Sequence, residues 1–286
     1  MNPFISNMQT RWGRFRREAR IRSYLRRGQR PWTAGYGEYR ERVVAGILCD
    51  QDLMTRFRRN EAMPIDYGRH LDERVVEFPW VLARLEQGGG RLLDAGSALN
   101  FLYILNQEAL VRKRIVIYTL APEDVIKGPN ISYVYGDLRQ TLFHDRAFDE
   151  IVCISTLEHI GMDNTRLYST DAHFEENRPT DYLRAVQEFN RILKPGGRLL
   201  VTVPYGRPEY HGWLQQFDRT MVDAVLHTFG GTASAAAYYR YGARGWQISS
   251  ADGCSDCTYF DIHRRQDYEA DYVAAARAVA CLEMVK

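Results

Sequence analysis

Glu158 and His159 are the residues whose types and position best suit them to chemistry. They stand in the segment Ser-Thr-Leu-Glu-His-Ile-Gly at 155–161, at the end of the apolar run 150–155, which is typical of a buried strand. The near-neutral pKa of histidine lets it take a proton from a hydroxyl or an amine, so His159 is a candidate general base. The alternative is a histidine that only hydrogen-bonds the backbone of a tight loop.

Three more groups of residues follow predicted strands and share this arrangement. The carboxyl ends of parallel strands meet at one edge of a sheet, where ligands bind, so we expect these groups to lie close together. Gly96 would allow a ligand carboxylate to approach the loop amides closely. The groups are the turn Asp-Ala-Gly-Ser-Ala-Leu-Asn at 94–100, Thr119 with Leu120, and Asp137 with Leu138.

The order of predicted elements favours an α/β fold with a doubly wound, Rossmann-like, mostly parallel sheet of seven strands. An apolar helix at 101–111 separates the first two strands and makes a right-handed parallel crossover. A helix at 72–86 must begin near Pro79 or kink there. Another helix has Thr180 as its N-cap and ends before a Lys-Pro-Gly-Gly turn at 194–197. The strands read from the sequence are 91–95, 115–119, 131–135, 150–155 and 198–203.

The first 70 residues are basic and aromatic, and we expect them to form a helical extension in front of a domain at 71–286. Residues 11–30 contain nine arginines and one acid, Glu18, although the net charge of the whole chain is only +2. Such a segment is usually solvated or disordered, and less often binds nucleic acid, an anionic membrane or phosphate. We therefore expect no nucleic-acid partner and keep membrane or phosphate contact as an alternative.

Composition also bears on the cellular setting. The chain has no apolar run of the about 18 residues that crossing a bilayer requires, and no secretion signal, so we expect a soluble, cytoplasmic protein. Its five cysteines should be reduced thiols. Cys254 and Cys257 have the C-x-x-C spacing of zinc ligands, but the sequence has no second pair, and we expect no metal there.

The stretch 147–204 carries a family resemblance. It reads as a buried strand, the segment with Glu158 and His159, an amphipathic helix, the Lys-Pro-Gly-Gly turn and a second buried strand. That order resembles the second half of a class I S-adenosylmethionine-dependent methyltransferase, and the resemblance extends over residues 75–205. The chain departs from the family pattern at Ala98 and Asn100, which replace glycines, and at Thr119, which replaces an acid.

The resemblance implies S-adenosylmethionine as the cofactor and suggests roles for particular residues. Asp94 would suit the cofactor's amino group, and Thr119 would hydrogen-bond the ribose. Asp137 would accept from the adenine amine while Leu138 packs on the ring, and His159 would face the donor methyl group. The full set of cofactor-binding residues expected in this way is Asp94, Ala95, Gly96, Ser97, Asn100, Thr119, Leu120, Asp137, Leu138 and Ser155.

We therefore expect methyl transfer to an oxygen or nitrogen of a small-molecule or glycan-type substrate. Aromatic residues with polar groups are dense between 205 and 246 and suit such a substrate, and we expect substrate or lid segments at about 160–180 and 205–260. One alternative is a non-catalytic binding or scaffold protein of this fold. Another is a nicotinamide enzyme, which the absence of a G-x-G-x-x-G sequence disfavours. The residues name neither the acceptor atom nor an oligomeric state.

Overall fold

A computed structural model of the chain describes residues 3–168, 171–265 and 267–286, with side chains from residue 13 onward except that of His173. The strands in this part, in chain order, are β1 (Arg91–Ala95), β2 (Arg114–Thr119), β3 (Ile131–Tyr135), β4 (Phe148–Ile154), β5 (Leu193–Pro204), β6 (Glu209–Tyr210), β7 (Gln215–Gln216), β8 (Ala233–Gly242), β9 (Gly245–Ser249) and β10 (Ala278–Val285). They form a main sheet in the order β3-β2-β1-β4-β5-β10-β8-β9 and a separate β6-β7 ribbon.

The main sheet is parallel on one side and antiparallel on the other. Strands β3, β2, β1, β4 and β5 run parallel to their neighbours, whereas β10, β8 and β9 pair antiparallel. The α/β, mostly parallel, Rossmann-like fold predicted from the sequence is confirmed. In the described residues the sheet has eight strands where seven were expected, because β8 and β9 form a hairpin at its edge. Strand β8 opens with the small residues 233–237, which lack an alternating pattern.

Helices cover both faces of the sheet. Those in the described residues are α1 (Pro3–Arg26), α2 (Tyr36–Cys49), α3 (Gln51–Arg59), α4 (Arg74–Leu82), α5 (Leu102–Leu105), α6 (Glu108–Val111), α7 (Tyr182–Ile192), α8 (Arg219–Phe229) and α9 (Ala251–Cys254), with 3₁₀ turns at Leu157–His159 and Ala172–Phe174. Side chains of α2 to α6 share one apolar cluster, and those of α7 and α8 share another. Leu92 of β1 points into the first cluster and Leu93 into the second, so this strand is buried on both faces, as expected beneath two helix layers.

Helix α4 contains Pro79 in its interior, where the sequence favoured a start or a kink. A proline has no N–H to donate to the carbonyl four residues earlier, which here belongs to Val75. The hydroxyl of Tyr67 donates to that carbonyl instead, at 2.5 Å. The helix therefore continues through the proline because a side chain from outside supplies the missing donor.

Two other helices differ from their predictions for local reasons. The helix expected at 101–111 is divided into α5 and α6. Between them, where the chain leaves helical geometry, the side-chain amide of Gln107 donates to the Tyr103 carbonyl at 2.7 Å. Helix α7 has Asp181, not Thr180, at its N-cap position. The Asp181 carboxylate caps no amide there, because it accepts from Arg139 at 2.7 Å.

The Lys-Pro-Gly-Gly segment at 194–197 is part of a strand and not a turn that precedes one. Strand β5 starts at Leu193, and its register with β4 passes from Phe148 opposite Leu193 to Glu150 opposite Arg198. The four residues therefore form an excursion within the β5 strand. Gly196, with φ 75°, supplies the left-handed conformation that this excursion needs.

The amino-terminal helices pack on the same apolar cluster as the sheet. Ile21 and Tyr24 of α1 are buried, and Arg17 and Arg20 pair with Glu41 and Glu38 of α2 at 3.2 and 2.9 Å. The side chains of residues 11 and 12 lie outside the described residues. A boundary at residue 70 and contact of the arginines with an anionic partner stay predictions. Among the described residues, every helix is too short or too polar for a membrane span.

Candidate active site

A cavity of about 670 Å³ opens at the carboxyl ends of β1, β4 and β5, and we call it the large cavity. A second cavity of about 60 Å³, the small pocket, lies at the carboxyl ends of β2 and β3. Gly96 and His159 line both, so the two cavities meet at these residues. Of the predicted site residues, Ser97 and Ser155 line the large cavity, and Thr119, Leu120, Asp137 and Leu138 line the small pocket.

The glycine turn after β1 is held by Asp94. Its two carboxylate oxygens accept from the amides of Ala98 and Leu99 at 3.1 and 2.8 Å. Burial raises the pKa of Asp94 to about 7, although those two hydrogen bonds act in the opposite direction. We expected Asp94 to meet the cofactor's amino group, but it is fully buried with both oxygens occupied. Asp94 and Ala95 are not among the described residues that line either cavity.

Asn100 also supports this turn. Its amide donates to Glu123 Oε1 at 3.1 Å and to the Asp124 carbonyl at 2.9 Å, and its side-chain oxygen accepts from Tyr133 at 2.8 Å. Ser97 hydrogen-bonds the same Glu123 oxygen. Asn100 was expected to contact the cofactor, but it is not among the described lining residues, because its polar atoms tie the turn to the segment after β2.

Gly96 is required by a contact within the protein. Its φ is 108°, a value that side-chain-bearing residues rarely adopt, and a Cβ placed there would lie 2.5 Å from Thr156 Cγ2 and 2.8 Å from Thr156 Cβ. Thr156 directly follows β4, so the turn after β1 and the segment after β4 touch at this glycine. The sequence suggested that Gly96 makes room for a ligand, whereas in this structure Thr156 lies against it.

The small pocket is bordered by a dense ion-pair network. Arg139 donates to both carboxylate oxygens of Asp137, at 2.7 to 3.0 Å, and also to Glu176 and Asp181 at 2.9 and 2.7 Å. Burial favours the neutral acid, but the Arg139 hydrogen bonds outweigh it and hold the pKa of Asp137 below its usual range. Asp137 is therefore ionised and partnered.

The segment predicted as a lid at 160–180 covers this pocket in part. Asn164, Tyr168 and Glu176 line it, and the Tyr168 and Thr119 side chains hydrogen-bond each other. Residues 169 and 170 lie outside the described residues. The other predicted segment, 205–260, is divided: Trp213, Tyr259 and Phe260 line the large cavity, but 219–249 supply α8, β8 and β9.

His159 has a defined tautomer. Its Nδ1 lies 2.8 Å from the Trp213 carbonyl, and because a carbonyl can only accept, Nδ1 carries the hydrogen and Nε2 keeps its lone pair. Burial lowers the pKa of His159 to about 4, while the Trp213 hydrogen bond acts in the opposite direction and the Arg74 charge adds to the lowering. The imidazole is therefore neutral at neutral pH. It stacks on the Trp213 indole with ring centres 5.2 Å apart.

Carboxyl groups gather near His159 on the large-cavity side. Glu77 of α4 is fully buried and accepts from Ser155 at 2.6 Å, Thr202 at 2.7 Å and Arg74 at 2.6 Å. The Ser155 hydroxyl, predicted to bind the cofactor, is thus engaged by Glu77. Glu158 is 3% exposed, its Oε1 lies 4.0 Å from His159 Nε2, and its Oε2 has no hydrogen-bond partner among the described residues.

The walls of the large cavity come from both ends of the chain. Trp32, before α2, donates its indole N–H to the Ala274 carbonyl at 2.6 Å, and Arg40 of α2 pairs with Asp72. Asp261 accepts from Trp213 Nε1 at 3.3 Å and lies 3.2 Å from His211 Nδ1. Sequence reasoning missed Trp32, Arg40, Glu73 and the stretch 261–263 as lining residues. The triplet Asp-Glu-Arg at 72–74 was the available signal, since charges so close to a predicted buried helix need partners.

Cys254, the last residue of α9, and Cys257 are buried and are not among the described residues that line the two cavities. Both thiols are free and hydrogen-bond each other. In the described part of the chain, no group of three or more His, Cys, Asp or Glu side chains is arranged to hold a metal ion.

Residues 105–201 match the Methyltransferase domain family. No curated protein is significantly similar in sequence. Solved structures similar to the chain include the YcgJ protein of Bacillus subtilis, at 13% identity, covering 73% of this chain and 97% of that one, with a TM-score of 0.45. An S-adenosylmethionine-dependent methyltransferase of Methanosarcina mazei is 13% identical, covering 71% and 96%, with a TM-score of 0.42.

A third similar structure is 1,6-didemethyltoxoflavin-N1-methyltransferase of Burkholderia thailandensis, solved with 1,6-didemethyltoxoflavin and S-adenosylhomocysteine. It is 14% identical, covering 70% of this chain and 72% of that one, with a TM-score of 0.38. The family match falls on β2 to β5, the parallel part of the sheet that carries His159. The chain is therefore similar to methyltransferase domains over residues 105–201, and this segment lies in a mostly parallel Rossmann-like sheet.

Proposed function

We propose that the chain transfers a methyl group from S-adenosylmethionine to an oxygen or nitrogen of a small-molecule or glycan-type substrate held in the large cavity, with His159 as the general base. The cofactor supplies a methyl group already activated by its sulfonium. The protein's task is therefore to bind both partners, to align them and to accept the proton that leaves the acceptor.

The strand ends offer a consistent set of groups for the cofactor. Thr119 and Leu120 would border the ribose, and the ionised Asp137 with Leu138 would receive the adenine, since all four line the small pocket. Ser97 and the backbone at Gly96 and Ser155 would border the amino-acid end, where the large cavity begins. Asp94, Ala95 and Asn100 would act indirectly, by holding the turn in shape.

The large cavity suits the acceptor. Its volume of about 670 Å³ lies within the roughly 300–1,000 Å³ usual for small-molecule sites. Trp213, Tyr259 and Phe260 give it aromatic walls, which suit the faces of sugars or aromatic rings. Both classes of substrate therefore remain within the proposal.

The neutral tautomer of His159 is the observation that carries the base assignment. Its Nδ1–H is committed to the Trp213 carbonyl, so the lone pair on Nε2 is the ring's remaining acceptor, and His159 borders both cavities. As the acceptor bonds to the methyl carbon, the bond from that carbon to the sulfonium sulfur would break and S-adenosylhomocysteine would leave, while the proton of the acceptor passes to Nε2. The resulting imidazolium keeps its Trp213 hydrogen bond and, because the pKa is about 4, returns the proton to water readily.

Transfer of labelled methyl from S-adenosylmethionine to a panel of phenols, amines and glycosides tests this proposal. His159→Ala should lower the rate by about 100-fold or more, the usual worth of general-base help, while calorimetry with S-adenosylhomocysteine shows little change in affinity. His144→Ala is the matched control, because His144 also places Nδ1 beside a backbone carbonyl, at 2.7 Å, but is exposed.

A near wild-type rate in His159→Ala would remove the base assignment and leave alignment as the mechanism. Tight binding of S-adenosylhomocysteine without transfer to any member of the panel would favour the non-catalytic alternative. Preferential binding of NADH would favour the nicotinamide enzyme.

A further inference from the structure

Two carboxyl groups in the wall of the large cavity have no cationic partner among the described residues. Glu158 follows β4 and Glu73 precedes α4, and both border the cavity. Glu158 Oε2 is buried without a hydrogen-bond partner among the described residues. Glu73 accepts one long hydrogen bond, from the Ala276 amide at 3.3 Å, and none of the ion pairs within 4.0 Å in the described part of the chain includes it.

The cations nearby are already engaged with other acids. Arg40 pairs with Asp72, and Arg74 donates to Glu77 at 2.6 Å. His159, 4.0 Å from Glu158, is neutral because burial holds its pKa near 4. Glu73 and Glu158 therefore remain without a cationic partner among the described residues.

Glu73 and Glu158 lie near enough for Glu73 to add to the raised pKa of Glu158. Burial raises the pKa of Glu73 to about 8, with Asp72 and Glu77 adding to the rise. Burial also raises the pKa of Glu158 well above its usual value, with Glu77 and Glu73 contributing and Arg74 opposing. Both groups also raise the pKa of the Tyr259 phenol, after burial, and all three side chains line the large cavity.

A buried carboxyl group without a hydrogen-bond partner destabilises the folded protein, and in an enzyme such a group often binds a ligand. We infer that Glu158 and Glu73 form a binding site for the ammonium group of an amine-bearing substrate. An ammonium has three N–H donors, which match the free oxygen of Glu158 and the weakly bonded carboxyl of Glu73. The aromatic faces of Trp213 and Tyr259 add attraction for a cation.

The inference rests on the proposed function in one respect, that the large cavity holds the methyl acceptor. The cofactor's amino-acid end would also border the large cavity, at Ser97 and Ser155, so the ammonium is assigned to the substrate on the position of Glu158, and the test keeps S-adenosylhomocysteine bound. Glu158 also adjoins His159, the proposed base for the acceptor. The amine is proposed as a binding group, and the methyl acceptor is either that amine or another atom of the substrate.

A matched pair of probes tests the site: 2-phenylethylamine and 2-phenylethanol, which differ in the ammonium alone. Calorimetry with the whole chain, saturated with S-adenosylhomocysteine, should show the amine binding at least about tenfold more tightly, as expected for hydrogen bonds between charged groups. Titrations near pH 7 in buffers of different ionisation enthalpy should show proton release as the amine binds, because protonated Glu158 and Glu73 must ionise beside Arg74, Glu77 and neutral His159.

Glu158→Gln keeps the size and hydrogen-bonding capacity of the side chain but cannot ionise, and it should reduce amine affinity to that of the alcohol. Glu73→Gln provides a second, independent variant and should act in the same direction. Glu108→Gln, at an exposed position on α6, should leave the preference for the amine unchanged. Thermal melts establish that each variant is folded.

Equal affinity for amine and alcohol, or an unchanged preference in both folded variants, would overturn the inference. Loss of amine binding when S-adenosylhomocysteine is present would also overturn it, by giving the ammonium site to the cofactor. Amine preference without methyl transfer to any acceptor would instead leave the binding site standing while the proposed function fails.

Discussion

The small pocket and the large cavity meet at Gly96 and His159 but are built differently. Apart from Gly96, every lining residue of the small pocket lies within 105–201, the segment shared with the methyltransferase domain family. Most of the lining of the large cavity comes from outside it, from the amino-terminal helices and from residues 204–275. The proposed cofactor end thus lies mostly inside the segment that matches the family, whereas the proposed substrate end lies mostly outside it.

The charges follow the same division. Around the small pocket Arg139 satisfies Asp137, Glu176 and Asp181 together, so no carboxylate there awaits a partner. Around the large cavity Arg40 and Arg74 pair with Asp72 and Glu77, and Glu73 and Glu158 have no cationic partner among the described residues. The two regions therefore differ in their balance of charge.

The largest effect should come from Gly96, where the two regions join. Gly96→Ala should lower the unfolding free energy by about 1–3 kcal/mol, because of its positive φ and the contact with Thr156, and should abolish S-adenosylhomocysteine binding as well. Chemical denaturation and calorimetry measure both. Gly89→Ala is the control, since its Cβ would meet only the Arg112 carbonyl at 3.7 Å and should cost little. Unchanged stability in Gly96→Ala would show that Thr156 gives way easily.

The next largest effect should come from the wall that the amino-terminal helices supply. Trp32→Ala removes an aromatic surface and the hydrogen bond to Ala274, so KM for the methyl acceptor should rise about tenfold while S-adenosylhomocysteine affinity stays constant. Trp32→Phe, which keeps a ring but loses the donor, should fall between Ala and wild type. If cofactor affinity fell in parallel with KM, the two cavities would not be separable.

A smaller effect, in the opposite region, should follow from Arg139→Gln. Without this cation Asp137 loses its partner and the covering segment loses its ion pair through Glu176, so S-adenosylhomocysteine affinity should fall about fivefold, with acceptor KM nearly constant. Calorimetry checks the first and steady-state kinetics the second. Arg184→Gln is the control, because Arg184 is exposed and its one ion pair among the described residues is with Asp181, at 3.6 Å.

The smallest effect should appear as a pH dependence of stability. The pKa of Glu73 is raised from 4.5 to about 8 on folding, so its contribution to stability is fully present below pH 4.5 and is lost as pH rises toward 8. Relative to wild type, the melting temperature of Glu73→Gln should therefore increase by a few degrees between pH 4.5 and 8. A constant difference over that range would mean that Glu73 is ionised in the folded protein and already has a partner.

The sheet was predictable because its signals are local. The bounds of β1 and β3 coincide with the strands read from the sequence. Strand β1 is buried on both faces, which favours a nearly continuous apolar run, whereas β3 lies at the edge of the sheet and is half-buried to exposed. The prediction of one helix at 101–111 was wrong. The spacing of apolar residues does not show that the Gln107 side chain can donate a hydrogen bond to the Tyr103 carbonyl. The sequence did not predict the antiparallel hairpin of β8 and β9. The alanines of β8 have no strand pattern of their own, and they are in a strand because they pair with β10.

The site was predictable in position but not in its partnerships. His159, Gly96 and Asp137 lie at strand ends, where a parallel sheet gathers its ligand-binding residues. The family pattern suggested that Asp94 would be free for a ligand, but two turn amides occupy it. The glutamates 73 and 158 are 85 positions apart, and only the folded chain determines which acids the arginines leave unpaired.

Strand β10 lies between β5 and β8, and this sets an order of events during synthesis. The outer edge of β5 has no strand partner until residues 278–285 are made, and in the sheet β8 and β9 are joined to it only through β10. At about 5–20 residues per second, the ribosome needs roughly 4 to 15 seconds to pass from the end of β5 to β10. For that time the nascent chain presents an open apolar strand edge, the kind of surface that chaperones recognise and that otherwise aggregates.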